Sequence, residues 1–400
     1  MSDISDKTTL RPFTPEFPEA DVAELRRRIE ATRFPEKETV SDQSQGTPLA
    51  TLQELARYWA TEYDFGRVGA SLRSHPNFIT EIDGLDIHFV HARSPHEDAL
   101  PLIVTHGWPG SVVEQMKIVD PLINPTAHGG DASDAFHVVI PSMPGYGFSG
   151  KPTERGWDPE RIARAWAELM RRLGYTRYAA QGGDWGAIVT DALALQAPEG
   201  LIGIHTNMAG IVPPEIEQAI ATGQPLPAGT PELSQEEQRA VDQLRVMYSH
   251  AYYAYIMGDR PQSLAGFADS PVGLAAFMLD HDAASLDLIT RAFAGEPTGL
   301  TRDDVLDNVT LFWLTNTGVS AARLYGENKL GFFSAKGVRL PTAVSVFPDE
   351  MYQAPRSWTE KAYPNLIHYN TLPRGGHFAA WEQPELFVNE LRVGLRSLRK

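Results

Sequence analysis

Apolar and polar residues repeat with different periods along the chain, and the changes of period divide it into regions. Between residues 10 and 75, the segments EADVAELRRRIEATRF and PLATLQELARYWATEYDFGRVGASLRSH place apolar residues at helical spacing. From Asn77, NFITEIDGLDIHFVHARS alternates apolar and polar residues around the turn DGLD, which predicts a β-hairpin. We therefore expect a helical extension, residues 1–75, in front of a domain that contains β-strands.

Three continuous apolar runs follow the hairpin, and a helical pattern comes after each of them. The runs are LPLIVTHGW, FHVVIPSMPGYG and RYAAQGGDWG, with helices expected from about Ser111, from Asp158 to Leu173, and over AIVTDALALQ. Two more strands, PTAVSVFP and LIHYNTLP, precede a final amphipathic helix, QPELFVNELRVGLRSL. This alternation predicts an α/β fold with a mostly parallel sheet flanked by helices.

The alternation stops in the middle of the chain, where loops rich in Pro, Gly and Gln separate mainly helical segments. We interpret residues 213–311 as a helical cap that is inserted into the α/β core. The core would then consist of residues 76–212 and 312–400.

Composition restricts the classes of function. The formal net charge of −16 disfavours nucleic acids and anionic membrane surfaces as partners. The chain contains no cysteine, which excludes disulfides, thiolate metal sites and a cysteine nucleophile. The N-terminal MSDISDKTTLRPF lacks the apolar run of a signal peptide, and no segment resembles a membrane span or anchor. We predict a cytoplasmic protein; the sequence is compatible with a homodimer and does not specify the oligomeric state.

The segment GGDWG carries the most specific chemical signal. Its glycines match the G-x-nucleophile-x-G frame, between an apolar strand and a helix, but Asp184 occupies the position where hydrolases usually have serine. A glycine-rich turn whose aspartate only caps the following helix is the alternative. No other G-x-S-x-G frame occurs in the chain, so a serine esterase is disfavoured.

Two other segments supply partners for Asp184. HGWPGS follows an earlier strand, where the second amide of an oxyanion hole is expected, so the backbone amides of Trp108 and Trp185 form the candidate pair. RGGHFAAWEQPE places His377 after the last strand, in the order nucleophile, acid, base. The acid follows the strand in VSVFPDEMYQAP, where both Asp349 and Glu350 are available.

HGWPGS, GGDWG, FPDEMYQAPRSW and GGHFAAWEQP together resemble the microsomal-type epoxide hydrolases of the α/β-hydrolase superfamily. The N-terminal RPFTPEFPEADVAELRRRIEATRFP resembles the extra segment of that branch, so the resemblance covers nearly the whole chain. It implies the α/β-hydrolase fold, an aspartate nucleophile and no cofactor or metal. It also implies that Glu350, two residues after the Phe-Pro pair, is the acid, with Asp349 as the alternative.

An aspartate in the elbow changes the chemistry. A free carboxyl group has a pKa of about 4, so it is ionised at pH 7 and can attack without the help of a base. His377 is then free for a later step. Attack on an sp³ carbon would form an alkyl ester on Asp184, and water activated by His377 with Glu350 would then hydrolyse it. The Trp108 and Trp185 amides would stabilise the oxyanion that forms on Asp184 itself.

The family resemblance adds two tyrosines that bind and protonate the epoxide oxygen. Tyr253 has the family's spacing to Pro261, with Tyr252 and Tyr255 as rivals, and Tyr325 precedes the matching Gly-Glu-Asn. The expected substrates are water and a small apolar epoxide. A haloalkane dehalogenase shares the aspartate elbow and is the main alternative, since halide leaves without a proton. A non-catalytic binding protein on this fold is a weaker one.

Overall fold

A computed structural model describes residues 7–399; residues 1–6, which belong to the expected extension, and residue 400 lie outside the described residues. Within residues 7–399, nine strands form one sheet in the order β1-β2-β3-β5-β4-β6-β7-β8-β9. Their bounds are Arg11–Phe13, Asn77–Ile82, Leu85–Ala92, Leu100–Thr105, Phe136–Pro141, Tyr178–Gly182, Leu201–Thr206, Thr342–Val346 and Leu366–Thr371, for β1 to β9. Strands β4 to β9 pair in parallel, and β1, β2 and β3 add an antiparallel edge. The predicted α/β-hydrolase fold is confirmed.

The predicted hairpin is present as β2 and β3. Its turn consists of Asp83 and Gly84, both with positive φ, 52° and 79°. Asp-Gly suits such a turn because its backbone twist matches the twist of the paired strands.

The N-terminal region is not entirely helical as expected. Its helices are Glu19–Glu30, Leu49–Thr61 and Arg67–Arg73, but Arg11–Phe13 is a strand that pairs with β2. Three residues are too few to produce an alternating pattern in the sequence, so hydrophobic periodicity does not reveal this strand.

Helices cover both the sheet and its carboxyl-terminal edge. The helices of the core are Met116–Ile123, Pro159–Arg172, Trp185–Gln196, Arg356–Ala362, Ala379–Glu382 and Pro384–Gly394. The helices between β7 and β8 are Pro214–Ala221, Gln235–His250, Tyr252–Asp259, Pro271–Leu279, Ala283–Phe293, Arg302–Leu314 and Gly318–Glu327. Short 3₁₀ turns occupy Val112–Gln115, Pro125–Ala127, Ala132–Asp134, Pro261–Ala268 and Arg396–Arg399.

The expected boundary between the cap and the second part of the core, at residues 311 and 312, does not coincide with the end of a helix. It divides the helix Arg302–Leu314. A capping box of Thr301 and Asp304 starts this helix, and no glycine or proline interrupts it before Leu314. The helical segment continues through Gly318–Glu327, so the chain returns to the sheet only at β8. Among residues 7–399, no helix has the length and apolar character needed to cross a membrane.

Candidate active site

The parallel strands bring the predicted residues to one edge of the sheet, because the carboxyl ends of parallel strands point the same way. Asp184 follows β6, Trp108 follows β4, Glu350 follows β8 and His377 follows β9. All four residues are buried, with at most 8% of their surface exposed.

Asp184 stands on a sharp turn between β6 and the helix Trp185–Gln196. Its backbone has φ 51° and ψ −128°, a strained conformation for a residue with a side chain and one that occurs preferentially at functional sites. The two glycines of the frame allow the backbone segments to approach closely. A Cβ on Gly182 would overlap the Gly186 carbonyl, and a Cβ on Gly186 would overlap the Thr105 carbonyl. The elbow predicted from sequence is therefore packed directly against β4.

The Trp108 amide lies where an oxyanion-hole donor is expected. It donates a hydrogen bond of 2.7 Å to Oδ1 of Asp184. A Cβ on Gly107 would overlap the Asp184 side chain, so glycine allows this close approach. Within the described residues, only the Trp108 amide donates to this carboxylate; the Trp185 amide belongs to the first turn of the helix that follows it. That helix end favours negative charge at Asp184 through its dipole.

Glu350, not Asp349, contacts His377. Nδ1 of His377 donates a hydrogen bond of 2.8 Å to Oε1 of Glu350, which also accepts the Met351 amide at 2.9 Å. Asp349 is exposed, and its backbone forms a bridge with Gly376 instead. Successive side chains of an extended segment point to opposite sides, so only one of the two carboxylates can face the histidine.

The other nitrogen of His377 faces the nucleophile, with Nε2 3.9 Å from Oδ2 of Asp184. Burial opposes the charged form of His377, but the carboxylates of Glu350, Asp184 and Asp282 outweigh burial and raise its pKa to about 10. His377 is thus an imidazolium at neutral pH.

Tyr253 and Tyr325 reach the same site from the helical segment. The Tyr253 ring stacks on Trp108 at 5.1 Å, and the Tyr325 ring meets Trp185 edge-on at 4.7 Å. The two tyrosine rings are 6.1 Å apart. Both rivals are mainly exposed: Tyr252 is 71% exposed and Tyr255 is 59% exposed.

Burial and the nearby Asp184 carboxylate raise the pKa of Tyr253 well above its ordinary value. Burial, Tyr253 and Asp184 do the same for the pKa of Tyr325. Both phenols therefore keep their protons at neutral pH and can donate hydrogen bonds.

A cavity of about 220 Å³ opens between these tyrosines and Asp184. Its walls are mainly apolar: Trp185, Met247, Tyr248, Ala251, Ala254, Tyr255, Phe332, Phe333 and Met351, together with Asn328. A small apolar molecule with one polar atom suits such a pocket, since only a few polar groups converge there. A smaller cavity of about 20 Å³, lined in part by Glu114, Asp184 and His377, has room for one water molecule.

Three further side chains at the site were not predicted from the sequence. Glu114 lines the smaller cavity, and burial raises its pKa to about 8. Glu382 accepts the amides of Gly376 and Phe378, on both sides of His377, at 3.1 and 3.0 Å. His281 packs against His377. No sequence frame marks a lone histidine or glutamate, although Glu382 lies within the quoted GGHFAAWEQP segment.

Polar side-chain atoms of Asp184, His281 and His377 lie within 4.8 Å of one another.

Comparison with known proteins identifies the class. Residues 101–241 match the family model described as alpha/beta hydrolase fold, and residues 10–115 match the one described as Epoxide hydrolase N terminus. The crystal structure of juvenile hormone epoxide hydrolase from the silkworm Bombyx mori superposes with a TM-score of 0.84 at 30% identity, covering 99% of this chain and 97% of that chain. The protein is therefore an α/β-hydrolase that carries the epoxide hydrolase N-terminal region.

Relatives in sequence define the family more narrowly. Epoxide hydrolase 1 of Oryctolagus cuniculus is 35% identical, covering 96% of this chain and 88% of the rabbit protein. A protein of Stigmatella aurantiaca strain DW4/3-1, provisionally named an epoxide hydrolase, is 50% identical over 98% of this chain and 86% of its own length. The chain belongs to the epoxide hydrolases of the microsomal type.

Proposed function

We propose that this enzyme adds water to a small apolar epoxide and releases a vicinal diol, through a covalent ester on Asp184. The observation that carries the proposal is the shared pocket: an aspartate in the nucleophile elbow and two half-buried tyrosines line one mainly apolar cavity. A carboxylate supplies the nucleophile, and the phenols supply the proton that an epoxide needs and a halide does not.

The first step is opening of the epoxide ring. Oδ1 of Asp184 is held by the Trp108 amide, which leaves Oδ2 as the attacking atom. As Oδ2 bonds to a ring carbon, the carbon–oxygen bond of the epoxide breaks and its electron pair moves to the oxygen. Tyr253 or Tyr325 donates its proton to that oxygen, and the other phenol hydrogen-bonds it. The products are an alkyl ester on Asp184 and a tyrosinate.

The second step is hydrolysis of the ester by water. Esterification removes the negative charge of Asp184, one of the charges that raise the pKa of His377, so this pKa falls. The imidazolium then gives up its proton, which neutralises the tyrosinate, and His377 becomes a neutral base. His377 takes a proton from water, the water oxygen attacks Cγ of Asp184, and the Trp108 amide stabilises the oxyanion. The Cγ–O bond to the alkyl group then breaks, and the departing oxygen takes the proton from His377. The new carboxyl group of Asp184 passes its proton to His377, which restores the carboxylate and the imidazolium.

Glu350 supports this step by its hydrogen bond to Nδ1 of His377. It orients the ring with Nε2 towards Asp184 and stabilises the imidazolium that forms.

We also propose a cytoplasmic location, on the composition alone.

An activity panel tests the proposal and separates it from the haloalkane dehalogenase alternative. The purified protein is incubated with styrene oxide and with a chloroalkane of similar size, and diol and chloride are measured. We expect diol without significant chloride. Chloride release in the absence of diol formation would favour the dehalogenase and contradict the role of the tyrosines.

A further inference from the structure

His281 is a buried histidine of the active site that has no part in the mechanism above. It lies in the loop between the helices Pro271–Leu279 and Ala283–Phe293, and only 1% of its side chain is exposed. Its ring packs against His377, with centroids 4.3 Å apart and the two planes tilted by 37°. On another side it packs against Tyr253, at 5.2 Å. His281 therefore fills the space between the proposed base and one proposed acid.

Asp282 holds this ring in the same way that Glu350 holds His377. Nδ1 of His281 is 3.0 Å from Oδ2 of Asp282, and Nδ1 of His377 is 2.8 Å from Oε1 of Glu350. The other oxygen of Asp282, Oδ1, accepts the Ser285 amide at 2.9 Å and caps the following helix. Two imidazole–carboxylate pairs thus stand side by side above Asp184.

The remaining nitrogen of His281 indicates that its position serves the site. Nε2 is buried and has no hydrogen-bond partner among the described residues. Buried polar atoms without a partner are uncommon, so each one calls for an explanation. A ring nitrogen of His281 lies within 4.8 Å of polar side-chain atoms of both Asp184 and His377.

We propose that His281 and Asp282 form a second imidazole–carboxylate pair, which positions the His377 ring and controls the protonation of His377 during hydrolysis of the ester. This inference rests on the proposed function. His281 and Asp282 are positioning residues here, since they act on the substrate through His377.

Several titratable carboxyl groups surround the His377 ring, and Asp282 is the one that the helical segment contributes. The others belong to the core: Glu350, Asp184, Glu114 and Glu382. Burial opposes the charge of Asp282, but its hydrogen bond with His281 and the charges of His281 and His377 lower its pKa far below the usual range. Asp282 thus stays ionised at working pH and favours protonated His377, even after Asp184 has become a neutral ester.

Asp282→Asn tests the charge with little change in shape. Asparagine caps a helix as well as aspartate does and can still accept a hydrogen bond from His281. Losing the negative charge favours neutral His377. The pH below which ester hydrolysis slows, because His377 becomes protonated, should therefore fall by about one unit. The matched control is Asp280→Asn, which makes the same charge change at an exposed position in the same loop. In this variant the pH dependence of ester hydrolysis should stay as in wild type.

His281→Gln tests the ring. Removing the imidazole that packs against His377 loosens the His377 ring but leaves Asp282 negative. Hydrolysis of the ester should therefore slow about 10-fold, while the pH below which it slows should not fall. Ring opening should proceed at nearly the wild-type rate, and ester should accumulate. His250→Gln, on an exposed helix end, is the control for loss of a histidine.

The measurement follows ester formation and decay separately, by rapid quenching and protein mass, between pH 5 and 9. The inference is overturned if Asp282→Asn and Asp280→Asn give the same profile as wild type while His281→Gln lowers only the melting temperature. It is also overturned if dialysis against EDTA abolishes activity and Zn²⁺ restores it, since the cluster would then bind a cation. Wild-type protein that forms no ester from any epoxide would instead refute the proposed function.

Discussion

The two sides of the active site are built differently. On the core side, Asp184, Glu350 and His377 each follow a parallel strand, and neighbouring strands and backbone contacts hold their positions. On the helical side, Tyr253 lies near the start of the helix Tyr252–Asp259, and Tyr325 lies in Gly318–Glu327. Their direction depends on how these helices are rotated over the core.

This difference separates two kinds of function. Groups that make and break the ester are attached to the rigid sheet edge, where strained geometry such as the φ of 51° at Asp184 can be maintained. Groups that meet the epoxide oxygen and form the pocket come from helices whose sequence can vary without disturbing the sheet. We expect substitutions of His377 and Glu350 to slow ester hydrolysis and substitutions of Tyr253 and Tyr325 to slow ring opening.

The largest effect should come from His377→Gln. Ring opening needs no base, so the ester should still form, while its hydrolysis should slow by about 10⁴-fold, at the upper end of what a general base contributes. Incubation with an epoxide should therefore add the mass of the substrate to the protein. Normal turnover of this variant would show that another residue activates water.

The double variant Tyr253→Phe and Tyr325→Phe should slow ring opening by roughly 10² to 10⁴-fold, because no phenol remains to protonate the epoxide oxygen. Each single variant should lose less, since the other tyrosine still hydrogen-bonds that oxygen. The pre-steady-state rate can be followed by the fluorescence of Trp108 and Trp185, which pack against these rings.

Tyr252→Phe is the matched control on the same helix, because its side chain is 71% exposed. It should open the epoxide at the wild-type rate. If the double variant also does so, the tyrosines only pack, and the epoxide-specific part of the account fails while the triad can stand.

A smaller effect is expected within the core side. Glu350→Gln should slow ester hydrolysis by about 10²-fold, because the imidazolium of His377 loses its carboxylate partner. Asp349→Asn should change it less than about two-fold, since exposed substitutions away from the site have small effects. The ratio of ester to free enzyme at steady state, measured by protein mass, distinguishes the two variants. The opposite ranking would contradict the hydrogen bond between Glu350 and His377.

The sequence predicts the core side of the site more completely than the helical side. The elbow at Asp184 and the loop at His377 have local frames, glycines next to strand ends, that follow from backbone geometry alone. The choice between Asp349 and Glu350 depends on one residue of strand register, and residues alone left it open until the family resemblance favoured Glu350. The structure explains the outcome, because the bridge between Asp349 and Gly376 turns the next side chain towards His377.

The helical side shows what a single sequence cannot supply. Adjacent tyrosines on a helix differ by about 100° in direction, so packing of that helix on the core decides that Tyr253 faces inward. No sequence motif marks His281. It becomes part of the site only because the loop between the helices Pro271–Leu279 and Ala283–Phe293 packs against His377. Long-range packing of this kind leaves no periodic signal in the chain.

The central claim is that Asp184 forms a covalent ester that water cleaves at Cγ. The direct test is a single turnover in ¹⁸O-water with enzyme in excess over epoxide, followed by mass analysis of the diol and of the peptide that contains Asp184. The account predicts unlabelled diol, whose new oxygen comes from Asp184, and one ¹⁸O in that peptide. Label in the first-turnover diol and none in the peptide would show direct attack of water on the epoxide and contradict the account.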